Sequence, residues 1–137
     1  MIFGSGSLGI GFDQNTLLEF LALADKERDM TTIVLCGKNE SLLKLLLSQQ
    51  YKKVLPFGFY DNPSELYQIA NLLVSKPGGL TVAEALQAEC PILVTHTLPG
   101  QEEPNYEYLL ERQLIYPKPD PLTPMNLFNT AMAKLSS

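Results

Sequence analysis

Three observations predict a doubly wound, Rossmann-like α/β fold built on a parallel six-stranded sheet for this chain of 137 residues. Short apolar runs alternate with helical patterns along the whole length. The runs are continuous rather than alternating, as strands covered on both faces require. Two glycine-rich loops each follow an apolar run and lead towards a helix, which suits βαβ units with right-handed crossovers.

Each element can be justified in order. Met1–Phe3 is apolar and opens into Gly4-Ser5-Gly6-Ser7-Leu8-Gly9. From Asn15 to about Lys26, Leu17, Phe20, Leu21 and Ala24 recur at helical spacing. Thr32-Ile33-Val34-Leu35-Cys36 is a β-branched run ended by Gly37, and Leu42, Leu43, Leu46 and Leu47 mark a helix over Ser41–Gln49. Lys53–Phe57 reads as the third strand. Asn62-Pro63-Ser64-Glu65 then has the form of a helix start, with Asn as N-cap, Pro in the first turn and Glu at the third position. Leu72–Ser75 is the fourth strand, Lys76–Leu80 a loop, and Thr81 the cap of a helix to about Ala88. Pro91–Thr95 is the fifth strand. Gln101–Arg112 is helical, its Pro104 fitting the first turn. Leu114–Tyr116 is the sixth strand, Pro117–Pro124 a link, and Met125–Leu135 the last helix. Only three residues precede the first glycines, whereas strands average about five to six. The sequence thus predicts that an upstream segment has been removed.

Composition narrows the function classes. Fifteen acidic against ten basic side chains give a net charge of −5, which disfavours nucleic acid and anionic lipid as main partners. No run approaches the roughly 18–20 apolar residues of a membrane span, and the N-terminus lacks the form of a signal peptide. Cys36 and Cys90 lie far apart without metal-ligand spacing and read as buried thiols of a reducing, cytoplasmic compartment.

Gly4-x-Gly6-x-x-Gly9 matches the dinucleotide fingerprint in form. The NAD reading also needs a carboxylate at the end of the second strand to hold the ribose. That strand ends Leu35-Cys36-Gly37-Lys38, with no acid before Glu40, so NAD is the weaker option. Taken alone, the glycines could equally serve a tight turn. The second loop, Ser75-Lys76-Pro77-Gly78-Gly79-Leu80-Thr81, breaks the tie. In the usual strand order the first and fourth strands flank the crevice where the order reverses, and ligands bind there. Two helix N-termini would converge on it, and a diphosphate is their natural guest. Glu84, one turn further on, can accept hydrogen bonds from ribose hydroxyls or simply complement the helix dipole.

Three segments carry a family resemblance. Gly58-Phe59-Tyr60-Asp61-Asn62, Ser75-Lys76-Pro77-Gly78-Gly79-Leu80-Thr81-Val82-Ala83-Glu84-Ala85-Leu86 and Pro99-Gly100-Gln101-Glu102-Glu103-x-Asn105 resemble, in this order, the C-terminal donor-binding domain of family 28 glycosyltransferases. The wording is most similar to the diacylglycerol glycosyltransferase and galactolipid synthase branch. The resemblance implies the C-terminal half of a two-domain GT-B enzyme that transfers a hexose from a UDP-sugar, with inversion, to a lipid or glycan acceptor, by the diacylglycerol branch a diacylglycerol-like one. It implies that Phe59 and Tyr60 hold uracil, and that Gly78, Gly79, Leu80 and Thr81 meet the diphosphate with help from Ser5, Gly6 and Ser7. It further implies Glu84 on the ribose and Gln101 and Glu102 on the donor sugar. No catalytic residue, cofactor or metal is expected in this chain. There is no Asp-x-Asp motif, and helix N-termini can stabilise a departing diphosphate. The acceptor site and general base are expected in an N-terminal domain or partner subunit, at the cytoplasmic face of a membrane, so the chain alone is expected to bind donor without turnover.

Bland readings stand beside these. Asp61-Asn62 suits a helix cap, Gln101-Glu102-Glu103 an acidic first turn, and the lone His96 a structural or phosphate-contacting role without an orienting partner. The Gly-Ser-Gly-Ser-Leu-Gly wording departs from the family's usual forms, and the last segment is short for a helix that crosses back to the other domain. Two alternative functions remain: a stand-alone donor subunit of a split N-acetylglucosaminyltransferase, and a non-enzymatic nucleotide-binding module with no use for Gln101 and Glu102.

Overall fold

The computed structural model describes residues 1–4, 8, 12–97 and 103–136. Five strands, β1 (Ile2–Gly4), β2 (Thr32–Leu35), β3 (Val54–Phe57), β4 (Leu73–Ser75) and β5 (Ile92–Val94), form one all-parallel sheet in the order β3-β2-β1-β4-β5. The helices are α1 (Gln14–Asp25), α2 (Glu40–Ser48), α3 (Pro63–Ile69), α4 (Gly79–Gln87), α5 (Glu103–Glu111) and α6 (Pro124–Ser136).

Alternation along the strands sorts the core into two layers. Phe3, Val34, Val74 and Leu93 pack towards α1, α2 and α6, whereas Ile2, Leu73, Ile92 and Val94 pack towards α3, α4 and α5. The first layer centres on Phe3, whose ring lies 5.4 Å from that of Phe12 and 5.8 Å from that of Phe20. Chain direction along the sheet reverses beside β1, so the helix layer changes sides there. That is the geometric origin of the crevice between β1 and β4.

The expected sixth strand is a correction. Leu114–Tyr116 contributes a single parallel bridge, Leu93 to Tyr116. The apolar run was legible, but its backbone groups are already spent. The Leu114 N–H closes α5 on Leu109 O at 3.0 Å, and Pro117 has no N–H to offer. Only Tyr116 exchanges bonds with β5, donating to Ile92 O at 2.8 Å and accepting from Val94 N at 3.3 Å. Gly37, with φ 58°, makes the turn after β2 in a conformation that favours glycine.

Asp25 and the cysteines find structural work. Asp25 Oδ1 accepts from the Lys53 and Val54 N–H groups and ties the end of α1 to the start of β3. Both cysteines are buried free thiols; burial pushes the Cys36 thiol up to about 11 and raises that of Cys90.

One buried group is unpaired. The Thr32 side chain is fully buried and its hydroxyl has no partner among the described residues. Such a group costs about 1–3 kcal/mol. Thr32→Val keeps the branched shape and removes the hydroxyl, so the melting temperature is expected to rise by a few degrees. A fall would mean that the hydroxyl is satisfied in solution.

Candidate functional site at the strand ends

Four strand ends converge on one crevice of about 240 Å³. Gly4 ends β1, Leu35 and Gly37 end β2, Gly58 to Tyr60 follow β3, and Ser75, Lys76 and Gly78 follow β4. Pro63 and Tyr67 of α3 and Thr81 of α4 complete its wall. A Cβ at Gly4 would stand 3.2 Å from Ser75 Oγ, so the glycine lets the two central strands approach at the mouth.

The N-terminus of α4 is the chemically distinctive part. Every α-helix leaves its first N–H groups without intrahelical partners. In α1 the Asp13 carboxylate takes one, accepting from Thr16 N at 2.8 Å, and in α2 Asn39 Oδ1 accepts from Leu42 N at 3.0 Å. The N-cap of α4 is Gly78, which has no side chain, and the first turn carries no acid. Among the described residues no side chain caps the helix, which turns its first N–H groups and positive dipole end to the crevice, with Lys76 in the same wall. Among the described residues, glycine at 78 and 79 has no explanation in packing. A Cβ on either residue would meet nothing within 4 Å, and neither has a positive φ.

Beside this mouth a second cleft, of about 400 Å³, is lined by Phe59, Tyr60, Asp61, Asn62 and Glu65. Phe59 is 67% exposed, whereas Tyr60 stacks on Phe57 with centroids 6.2 Å apart and donates to Glu65 Oε2 at 3.3 Å. Burial and the neighbouring Glu65 carboxylate raise the Tyr60 phenol above its usual value.

Gly78 and Thr81 line the crevice, and Gly79 and the 76%-exposed Leu80 begin α4 at its rim. Phe59 and Tyr60 line both clefts. Glu84 is half-buried one turn beyond Thr81 and accepts a hydrogen bond from Ser64 Oγ at 2.7 Å. Ser5, Gly6, Ser7, Gln101 and Glu102 lie outside the described residues.

Four details correct the sequence reading. Thr81 is not a cap, because α4 starts two residues earlier; it lines the crevice wall together with Tyr67 instead. Asn62 occupies the N-cap of α3, but its amide donates to Glu65 Oε1 at 3.3 Å rather than its oxygen capping the helix. The first helix, expected from Asn15, begins at Gln14 with Asp13 as its N-cap. His96 does have a partner: its Nδ1 lies 2.9 Å from Thr95 Oγ1, and its ring stacks on Phe12 with centroids 5.9 Å apart. Sequence reasoning assigned no site role to Ser64, Tyr67 or Lys76. For Lys76 the signal was its place between β4 and the glycines.

A larger cleft, of about 610 Å³, opens at the opposite end of the sheet between Met30, Ile69 and Met132. None of the motif residues reaches it, so size does not locate the site here. No helix among the described residues is long and apolar enough to cross a membrane.

An open parallel sheet with a glycine-led helix at its switch point defines a Rossmann-type α/β domain. Residues 3–121 match the model of the family described as glycosyl transferases group 1, and the chain belongs to that family. The motif resemblance to family 28 thus holds at the level of a glycosyltransferase domain, whereas the matching model is that of group 1. The diacylglycerol branch also recurs among the relatives. The chain is 32% identical over 118 residues to the Bacillus subtilis (strain 168) protein named uncharacterized glycosyltransferase YkoN, covering 84% of this chain and 31% of that one. It is 37% identical over 83 residues to a processive diacylglycerol beta-glucosyltransferase of Bacillus cereus (strain AH187), covering 58% and 21%. Among solved structures, Anabaena Alr3699/HepE in complex with UDP and glucose shares the fold at a TM-score of 0.67 and 18% identity, over 96% of this chain and 37% of that one. The chain spans a third or less of the length of the two sequence relatives.

Proposed function

We propose that this chain is the donor-binding unit of an inverting glycosyltransferase that uses a UDP-hexose. The observation that carries the reading is the N-terminus of α4, which has no side-chain cap and begins with two glycines that no packing among the described residues requires. The N–H groups of Gly79, Leu80 and Thr81 hold the diphosphate, and they stabilise its charge as the hexose departs. Phe59 and Tyr60 receive the uracil, Glu84 the ribose, and Gln101 and Glu102 the hexose. Ser5, Gly6 and Ser7 close on the phosphates from the β1 side. The relative named as a diacylglycerol glucosyltransferase and the three motifs favour a diacylglycerol-like acceptor, held with the general base by a further domain or partner subunit at a membrane face.

Calorimetric titration tests the nucleotide class. UDP is expected to bind more tightly than ADP or NAD, because β2 ends at Leu35 without a carboxylate for an NAD ribose, and Asp25 and Asp13 are engaged with backbone. NAD binding as tight as UDP would reject the reading.

A further inference from the structure

Helices α3 and α4 are joined by a polar contact: Ser64 Oγ donates to Glu84 Oε2 at 2.7 Å. Ser64 and Tyr67 stand three residues apart on α3, as Thr81 and Glu84 do on α4, so each pair shares a helix face. Tyr67 is buried, and its phenol is raised by burial and by the Glu84 charge. Glu84 is a three-torsion side chain that would otherwise sample several rotamers one turn beyond Thr81 of the crevice wall. A carboxylate has about four lone-pair directions, and Ser64 occupies one of them, on Oε2. Oε1 has no partner among the described residues.

We infer that Ser64 is a positioning residue: it fixes the Glu84 carboxylate through Oε2 so that the remaining lone pairs meet the ribose hydroxyls of the nucleotide. This rests on the nucleotide reading above. Fixing the acceptor before binding removes an ordering cost that each binding event would otherwise bear. A serine serving only to join the two helices would contribute to folding and leave affinity untouched.

The test is calorimetric titration of the full chain with UDP and with 2′-deoxy-UDP, alongside thermal melts. Ser64→Ala is expected to weaken UDP binding about three- to tenfold, and Ser64→Thr, which keeps the hydroxyl, to restore it to within about twofold. In a Glu84→Gln background, Ser64→Ala should cost less than about twofold, because the two residues act as one unit. Against 2′-deoxy-UDP, which offers one hydroxyl fewer, the loss on Ser64→Ala should shrink in the same way. Unchanged UDP affinity with a lowered melting temperature overturns the inference, as does an equal loss with and without Glu84. A wild-type chain that ignores UDP overturns the nucleotide reading itself, and this inference with it.

Discussion

Phe20→Ala is expected to lower the stability of this domain by about 3–5 kcal/mol, the usual cost of deleting a fully buried aromatic ring. Phe20 is fully buried on α1, and its ring lies 5.8 Å from that of Phe3 on the central strand. Behind it, α1 packs on α6 through a cluster that includes Leu17, Leu21, Leu127 and Ala131. A void there cannot be filled from solvent, and both helices are anchored elsewhere, so collapse is resisted. For a domain of this length the melting temperature should fall on the order of 10 °C. Phe20→Leu retains most of the volume and should lose under about half as much. A drop of only a degree or two on Phe20→Ala would mean that α1 and α6 close the gap. UDP affinity of the folded fraction should not change, because α1 lies against the sheet face opposite α3 and α4.

How far the sequence discloses this architecture differs by element. The continuous runs Thr32–Leu35 and Leu73–Ser75 were legible because both sheet faces are covered, leaving no polar alternation to confuse them. The neighbouring of β1 and β4 followed from the alternation of elements and the usual strand order of doubly wound sheets. What failed was local hydrogen-bond accounting. Leu114–Tyr116 looked like a strand because its side chains suit one, but strand membership depends on free N–H and C=O groups, and the α5 terminus and Pro117 leave those of Tyr116 alone to pair. Thr81 looked like a cap because hydroxyls cap helices. A glycine can occupy the N-cap position equally well, and Gly78 does so here.

The site was legible in its glycines and illegible in its support. Gly78 and Gly79 announced a close backbone approach, and among the described residues nothing makes that approach. Ser64 carried no such signal, because a serine in the first turn of a helix is common and its contact lies twenty residues away. Only the packing of α3 on α4 reveals it.

Gly79→Ala separates ligand from scaffold most sharply, because its two expected effects have opposite signs. Gly79 is the first residue of α4, it lacks a positive φ, and an added Cβ meets nothing within 4 Å. Alanine is the better helix former by up to about 1 kcal/mol, so the melting temperature should hold or rise slightly. The new methyl stands beside the Gly79 and Leu80 N–H groups, in the space assigned to the diphosphate. Losing one hydrogen bond to a charged group costs about 1.5–3 kcal/mol, which corresponds to a ten- to hundredfold weaker Kd for UDP. Uridine, lacking phosphates, should bind both proteins alike, which confines the effect to the diphosphate. If Gly79→Ala instead destabilises the fold and leaves UDP affinity unchanged, the glycine belongs to the helix rather than to the ligand, and α4 loses its place as the anion site.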